Sequence, residues 1–294
     1  MNLGTVHTAA LAPRRRLVAS YSLERGIRVW HLDTQRLVAE LAVTSSQTIV
    51  HHPLAFSSSG ARLGLWLPHE RAILVWSLEN GRSILLRHPD VVEATTLAFS
   101  PDERFLAAPD DGSSPDPDGP ARFGAVVWDR EGAVVLQTHA ASPVTALAFD
   151  PASERLLTAD EVDFEAWELA PGTRAGRWPH GAGTPESLCF SPSGERFAVG
   201  GCDDLVRIWD TPSAAPRRIL PHGDDVEIVE FSDDGAYLLT SADGVRVFDA
   251  EGRAQIVVEA PVAHAGFVGN TIVAIARDGE VTRVALAALF PGAG

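Results

Sequence analysis

The chain holds few residue groupings that could perform covalent or metal chemistry. Its one adjacent histidine pair is His51-His52. On a strand, alternation would send the two imidazoles to opposite sides, a poor geometry for one metal ion. No HExxH, GxSxG, GxxxxGKS/T or GxGxxG motif occurs, so the signatures of zinc proteases, serine hydrolases and nucleotide-binding loops are missing. The two cysteines, Cys189 and Cys202, form neither a CxxC motif nor a disulfide framework. Cys189 stands in an apolar run, where a buried thiol is expected to be inert. These observations assign no catalytic, metal-binding or cofactor-binding residue.

What the sequence offers instead is charge. There are 39 acidic residues against 24 basic ones, all of them arginine, for a formal net charge of −15. Such a surface repels phosphates, so nucleic acid and anionic membranes are disfavoured and a basic partner is favoured. No stretch of 18 apolar residues occurs, and no membrane span is expected. Met1 to Arg16 lacks the apolar core of a secretory signal. With no disulfide framework, a reducing cytoplasm is the expected compartment. The absence of lysine and the wealth of Ala, Gly and Pro suggest a GC-rich bacterial genome.

The elements that position these charges are repeated. An apolar run ending in Phe, a tight turn, a second apolar run and a third ending in Trp recur about every 40–50 residues. The segments LAFSPDERFLAA, LAFDPASERLLTA, LCFSPSGERFAVGG and VEFSDDGAYLLTS carry the pattern. The first markers are Phe56, Phe99, Phe149, Phe190 and Phe231; the later ones are Trp30, Trp76, Trp128, Trp167, Trp209 and Phe248. Each unit reads as four short strands. In the sixth, Val226 to Phe231 alternates, Asp234-Gly235 turns, Tyr237 to Ser241 is apolar, and Asp243-Gly244 marks a hairpin. A lone four-stranded unit cannot cover both its faces, whereas units stacked around an axis can.

The segment GGCDDLVRIWD, Gly200 to Asp210, with Trp209-Asp210 and the second dipeptide Trp128-Asp129, resembles the WD-repeat family. The resemblance covers about residues 5 to 290. It implies an all-β fold: a seven-bladed β-propeller of four-stranded antiparallel blades, the last degenerate, in one domain over 1–294. The blades would span about residues 5–43, 48–88, 92–138, 143–179, 184–221, 225–259 and 261–290. Six blades with an irregular cap are the alternative. The last blade would borrow its fourth strand from Leu286 to Phe290 or from residues before Thr5. The resemblance also implies a His that fastens each blade through a Ser/Thr, an Asp and the Trp. His222 fits that place, and His139 and His180 stand one residue further out. The fourth unit would assemble His139, Thr158, Asp163 and Trp167. The sixth would assemble His222, Thr240 and Asp243, but Phe248 cannot donate a hydrogen bond.

In this family the loops at the channel mouth form the usual docking face, which implies a non-catalytic scaffold for another protein, here a subunit of a bacterial multiprotein complex without a cofactor. Three features map to that face. The insertion between Ala108 and Phe123 carries Asp110, Asp111, Asp116 and Asp118 and reads as a mobile acidic arm. Tyr21 and Trp66 occupy equivalent strand ends where other units have a small residue, and together they read as an aromatic hot spot or as local packing under the loops. Asp90, Glu93, Glu186, Asp224, Asp225 and Glu227 stand at first-strand entrances and would steer a basic peptide. Arg14, Arg15, Arg16, Arg62, Arg104, Arg155 and Arg196 belong to the opposite face, which is expected to be basic. The alternatives to a scaffold are a metal-dependent propeller hydrolase or lactonase, and a module that recognises a basic peptide.

Overall fold

The computed structural model describes residues 1–43, 53–89, 91, 93–112, 122–181, 183–211 and 215–291, with the backbone alone at 111, 112 and 122. His51, His52, Asp90, Asp116 and Asp118, and the Asp111 side chain, lie outside the described residues. Each repeat unit forms one antiparallel sheet whose strands follow chain order from the axis outward. Blade 1 is β1–β4 (Thr8–Ala12, Leu17–Ser22, Gly26–His31, Leu37–Leu41), and blade 2 is β5–β8 (Leu54–Phe56, Arg62–Leu67, Ala72–Ser77, Ser83–Leu86). Blade 3 is β9–β12 (Ala98–Phe99, Phe105–Gly112, Arg122–Asp129, Val134–Gln137), and blade 4 is β13–β16 (Ala146–Phe149, Arg155–Ala159, Asp163–Glu168, Thr173–Pro179). Blade 5 is β17–β20 (Pro185–Phe190, Arg196–Gly201, Leu205–Asp210, Arg218–Pro221), and blade 6 is β21–β24 (Ile228–Phe231, Leu238–Ser241, Val245–Phe248, Ala254–Val258). Blade 7 has three strands, β25–β27 (Val262–Val268, Thr271–Ala276, Val281–Ala285), followed by the one-turn helix α1 (Leu286–Leu289). The innermost strands touch in ring order, and β25 returns to β1. No helix of the described residues is long and apolar enough to cross a membrane.

The pattern of exposure explains why the sequence folds this way. A second strand is covered on both faces by its neighbours: all six residues of β2 are buried. A fourth strand is an edge, and Leu37, Val38, Ile84, Leu85, Val134, Val135, Ile219 and Ile256 lie exposed on the rim. The marker aromatics fill the seams between blades. Trp76 packs with Leu17, Ala19 and Tyr21 of blade 1. Trp209 stacks on Phe197 at 6.1 Å and stands edge-on to Phe164 of blade 4 at 5.3 Å.

The fastening network is sparser than the resemblance implied. The indole nitrogens of Trp30, Trp128, Trp167 and Trp209 have no hydrogen-bond partner among the described residues. His222 Nε2 meets Thr240 Oγ1 at 2.9 Å. His180 instead places Nε2 2.9 Å from the Asp160 carbonyl and lies 4.8 Å from the Phe164 ring. His139 is exposed and does not join Thr158, Asp163 and Trp167. Asp163 is held by Arg177, and Thr158 Oγ1 donates to the Glu165 carbonyl. Packing therefore does most of the work that a polar relay was expected to do.

In place of a full fourth strand the N-terminus gives blade 7 a single antiparallel bridge, Asn2 to Glu280, while Leu286–Leu289 is helical. The N-terminal residues lace onto the β26–β27 turn: the Leu3 and Val6 amides donate to the Gly279 and Arg277 carbonyls at 2.9 Å, and the Val281 amide donates to the Met1 carbonyl at 3.2 Å. That approach requires glycine, since a Cβ on Gly279 would lie 2.2 Å from the Gly4 carbonyl. Leu3 and Val6 then fill the seam beside Val18, Val273 and Ile275. At the other end α1 turns back under blades 6 and 7, and Phe290 rests on Tyr237 at 5.1 Å.

Candidate functional site

The sequence-derived site residues separate into those the fold buries and those it gathers at one mouth. Tyr21 and Trp66 are buried, at 0% and 1% exposure, so the aromatic hot spot is corrected. Both lie on a second strand, where the side chain turns into the seam with the following blade. Asp110 is likewise buried rather than on a free arm: β10 runs on to Gly112 in register with β11, with Asp110 opposite Gly124. Glu93, Glu186, Asp224, Asp225 and Glu227 are all exposed.

One group converges. Asp204, Asp224 and Asp225 are exposed, and their carboxylate oxygens lie within 4.8 Å of one another. Asp204 was not singled out from the sequence. It sits in the turn between β18 and β19, in the left-handed region at φ 62°, which Asp tolerates in tight turns. The loop from blade 5 to blade 6 is tied to that turn: the His222 amide donates to the Asp204 carbonyl at 2.8 Å, and the Val226 amide to the Gly201 carbonyl at 3.1 Å. These bonds bring residues about 20 apart in sequence to one point. The dipeptide Asp203-Asp204 at a hairpin turn was the available signal.

Among the described residues no arginine or histidine forms a direct ion pair with the trio. Arg207 is committed to Asp203 through two hydrogen bonds of 3.0 and 2.6 Å, and holds that carboxyl below the usual carboxylate range. Arg246 reaches the His222 carbonyl. Burial, with Arg246 nearby, pushes the His222 imidazole down to about 4. It therefore adds no positive charge near neutral pH.

Among the described residues this trio is also the one grouping with metal-ligand spacing, and it lies on exposed loops. The innermost strands carry other titratable groups, apart from it. Glu230 accepts a hydrogen bond from the Phe267 amide of the next blade at 3.2 Å, and burial pushes its carboxyl up to about 8. Burial and Glu230 push the Cys189 thiol up to about 12, so this thiol stays protonated.

Five of the seven arginines expected on the opposite face are engaged in ion pairs. Arg15, Arg16, Arg62, Arg104 and Arg155 pair with Glu79, Asp33, Glu103, Asp102 and Glu168 respectively. Arg196 instead lies over the Phe231 ring at 5.9 Å.

A ring of seven sheets, six of four strands and one of three, defines a seven-bladed β-propeller. Comparison with known proteins sharpens the class. Residues 179–210 match the family described as WD domain, G-beta repeat. The chain is 31% identical over 130 residues to the chromatin assembly factor 1 subunit FAS2 homolog of Oryza sativa subsp. japonica, covering 38% of this chain and 26% of that protein. It is 28% identical over 162 residues to eukaryotic translation initiation factor 3 subunit I of Coccidioides immitis, covering 47% and 46%. It is 25% identical over 249 residues to the WD repeat-containing protein SL1-17 of Schistosoma mansoni, covering 81% and 64%. The chain thus spans less than two thirds of the length of each of these relatives. Together with the seven blades, the matches support a WD-repeat β-propeller.

Proposed function

We propose that the protein is a non-catalytic protein–protein interaction scaffold that holds a basic segment of a partner protein at the acidic mouth of blades 5 and 6. The observation that carries this reading is the exposed trio of Asp204, Asp224 and Asp225. Three like charges held together by backbone hydrogen bonds, with Arg207 already paired to Asp203, attract an arginine- or lysine-bearing segment. Two of the relatives are named as subunits of larger assemblies, which accords with a subunit role here. We further propose a cytoplasmic setting and a bacterial complex, from composition and cysteine usage.

The test is capture of the native-host partner by the wild type and by the triple variant Asp204→Asn, Asp224→Asn, Asp225→Asn. The wild type is expected to retain a stoichiometric partner that rising salt releases, and the variant to lose it. Equal capture by both proteins would overturn the assignment of this face. Calcium or magnesium titrated into the wild type addresses the hydrolase alternative: stoichiometric binding coupled to hydrolytic activity would replace the scaffold reading.

A further inference from the structure

The seven blades offer a comparison internal to the molecule, because each seam presents the same positions. On the side of the turns between first and second strands, the seam between blades 4 and 5 opens into a groove of about 550 Å³. Its walls are Ala166 and Gly176, paired across β15 and β16, with the Trp178 ring, and with Phe190 and Phe197 of blade 5. The same pair is Val75–Ile84 in blade 2, Val127–Leu136 in blade 3 and Ile208–Arg218 in blade 5. The groove between blades 5 and 6, built on that last pair, shrinks to about 180 Å³. The hollow thus follows from two small residues where blades 2, 3 and 5 carry bulk. Trp178 closes over the space: a Cβ on Gly176 would stand 2.7 Å from its ring.

The seam between blades 6 and 7 shows what such a groove takes. There Asp233, Asp234 and Tyr237 stand where Pro151, Ala152 and Arg155 stand in blade 4, counted from the first-strand markers Phe231 and Phe149. The chain's own C-terminal segment, with Leu286 and Phe290, forms one wall of this recess of about 720 Å³. Leu286, Leu289 and Phe290 pack into the apolar cluster of blades 6 and 7. At the 4–5 groove the place of Leu286 is taken by Thr211. The two arginines on the rim are already paired, Arg155 with Glu168 at 2.8 Å and Arg177 with Asp163 at 2.8 Å. An anion therefore gains little there, and the apolar wall dominates.

We propose that the groove between blades 4 and 5 is a second docking site, which receives a short partner segment with an apolar, aromatic anchor of the Leu-Phe-Pro kind that the chain itself places between blades 6 and 7. An aromatic side chain set in a preformed apolar pocket is the usual energetic centre of such a contact. The site is separate from the acidic mouth and does not rest on it.

The probe is a fluorescently labelled synthetic peptide, VALAALFP, corresponding to residues 284–291, with the version in which its Phe is replaced by Ala as control. Fluorescence anisotropy against the full chain is expected to show saturable binding that the control peptide lacks. Ala166→Ile installs the residue that blade 5 carries at this position and should fold as the wild type does. Ala175→Glu leaves the core untouched and puts a charge at the exposed mouth. Each is expected to weaken binding by roughly tenfold or more, the loss expected when an anchor is shut out. Binding that both variants leave within about twofold would place the peptide elsewhere and overturn the proposal. So would the absence of saturable binding at millimolar peptide. Neither result bears on the acidic mouth, which the triple Asp→Asn variant reports.

Discussion

Trp209 tests whether blades are held by packing or by a polar relay. Its ring is 1% exposed, parallel to Phe197 within 2°, and edge-on to Phe164. Its Nε1 has no acceptor among the described residues. Trp209→Ala removes the whole ring from the seam and should cost about 3–5 kcal/mol. Trp209→Phe keeps a ring in the same place, as Phe248 does in blade 6 at 5% exposure. The smaller ring gives up about 1–2 kcal/mol of packing. It also removes a buried donor that makes no bond, which returns a similar amount, about 1–3 kcal/mol. The net change for Trp209→Phe should therefore stay within about 1 kcal/mol of the wild type. Urea unfolding followed by far-UV circular dichroism would read both variants, compared by midpoint with the slope unchanged. A cost for Trp209→Phe close to that of Trp209→Ala would mean that the indole N–H makes an essential hydrogen bond. The packing account of the seams would then be wrong.

Further outcomes follow from the same structure. Desolvation pushes the His222 and His264 imidazoles down from 6.5 to about 4, so the unfolded chain binds more protons between those values. Their contribution is complete above pH 6.5 and is lost as pH falls through 4. Glu230, raised from 4.5 to about 8, acts in the opposite sense: its contribution is complete below pH 4.5 and is lost as pH rises through 8. Melting temperature should therefore peak near about pH 6.5, and Glu230→Gln should flatten the fall from there to about pH 8 and steepen the rise between pH 4.5 and 6.5. An unchanged alkaline limb would remove Glu230 from the account. Deleting residues 1–6 takes Leu3 and Val6 out of the blade 7–1 seam and should lower stability by several kcal/mol, about 2 for each buried side chain. Thermal denaturation unchanged by the deletion would refute that closure. Phe290→Ala, which strips the ring from Tyr237, should cost about 1–3 kcal/mol in a urea melt, less than a fully buried aromatic.

Much of this was legible from local pattern. The Phe and Trp markers, the alternation between them and the Asp-Gly turns specify strands and their order, because pleat alternation and turn chemistry depend on near neighbours in the chain. The repeat number followed, and so did the acidity of the strand entrances at Glu186, Asp224, Asp225 and Glu227. What could not be read concerned which neighbour a side chain meets. Tyr21 and Trp66 sit at strand ends where a surface role was reasonable, and only the adjoining blade shows that they are core. His139 and His180 lie one residue from the fastening position, and that offset was enough to leave one in solvent and turn the other toward Asp160.

The sequence by itself therefore determined a ring of repeated sheets, since each unit carries its own markers and leaves two apolar faces to cover. Only the tertiary structure decided how the ring closes, that Asp204 joins Asp224 and Asp225, and that Ala166 and Gly176 open a groove between blades 4 and 5. The reason is physical: these features arise between residues distant in the chain and depend on the side chains of two blades at once. A periodicity of single positions cannot encode which pairs will face each other across a seam.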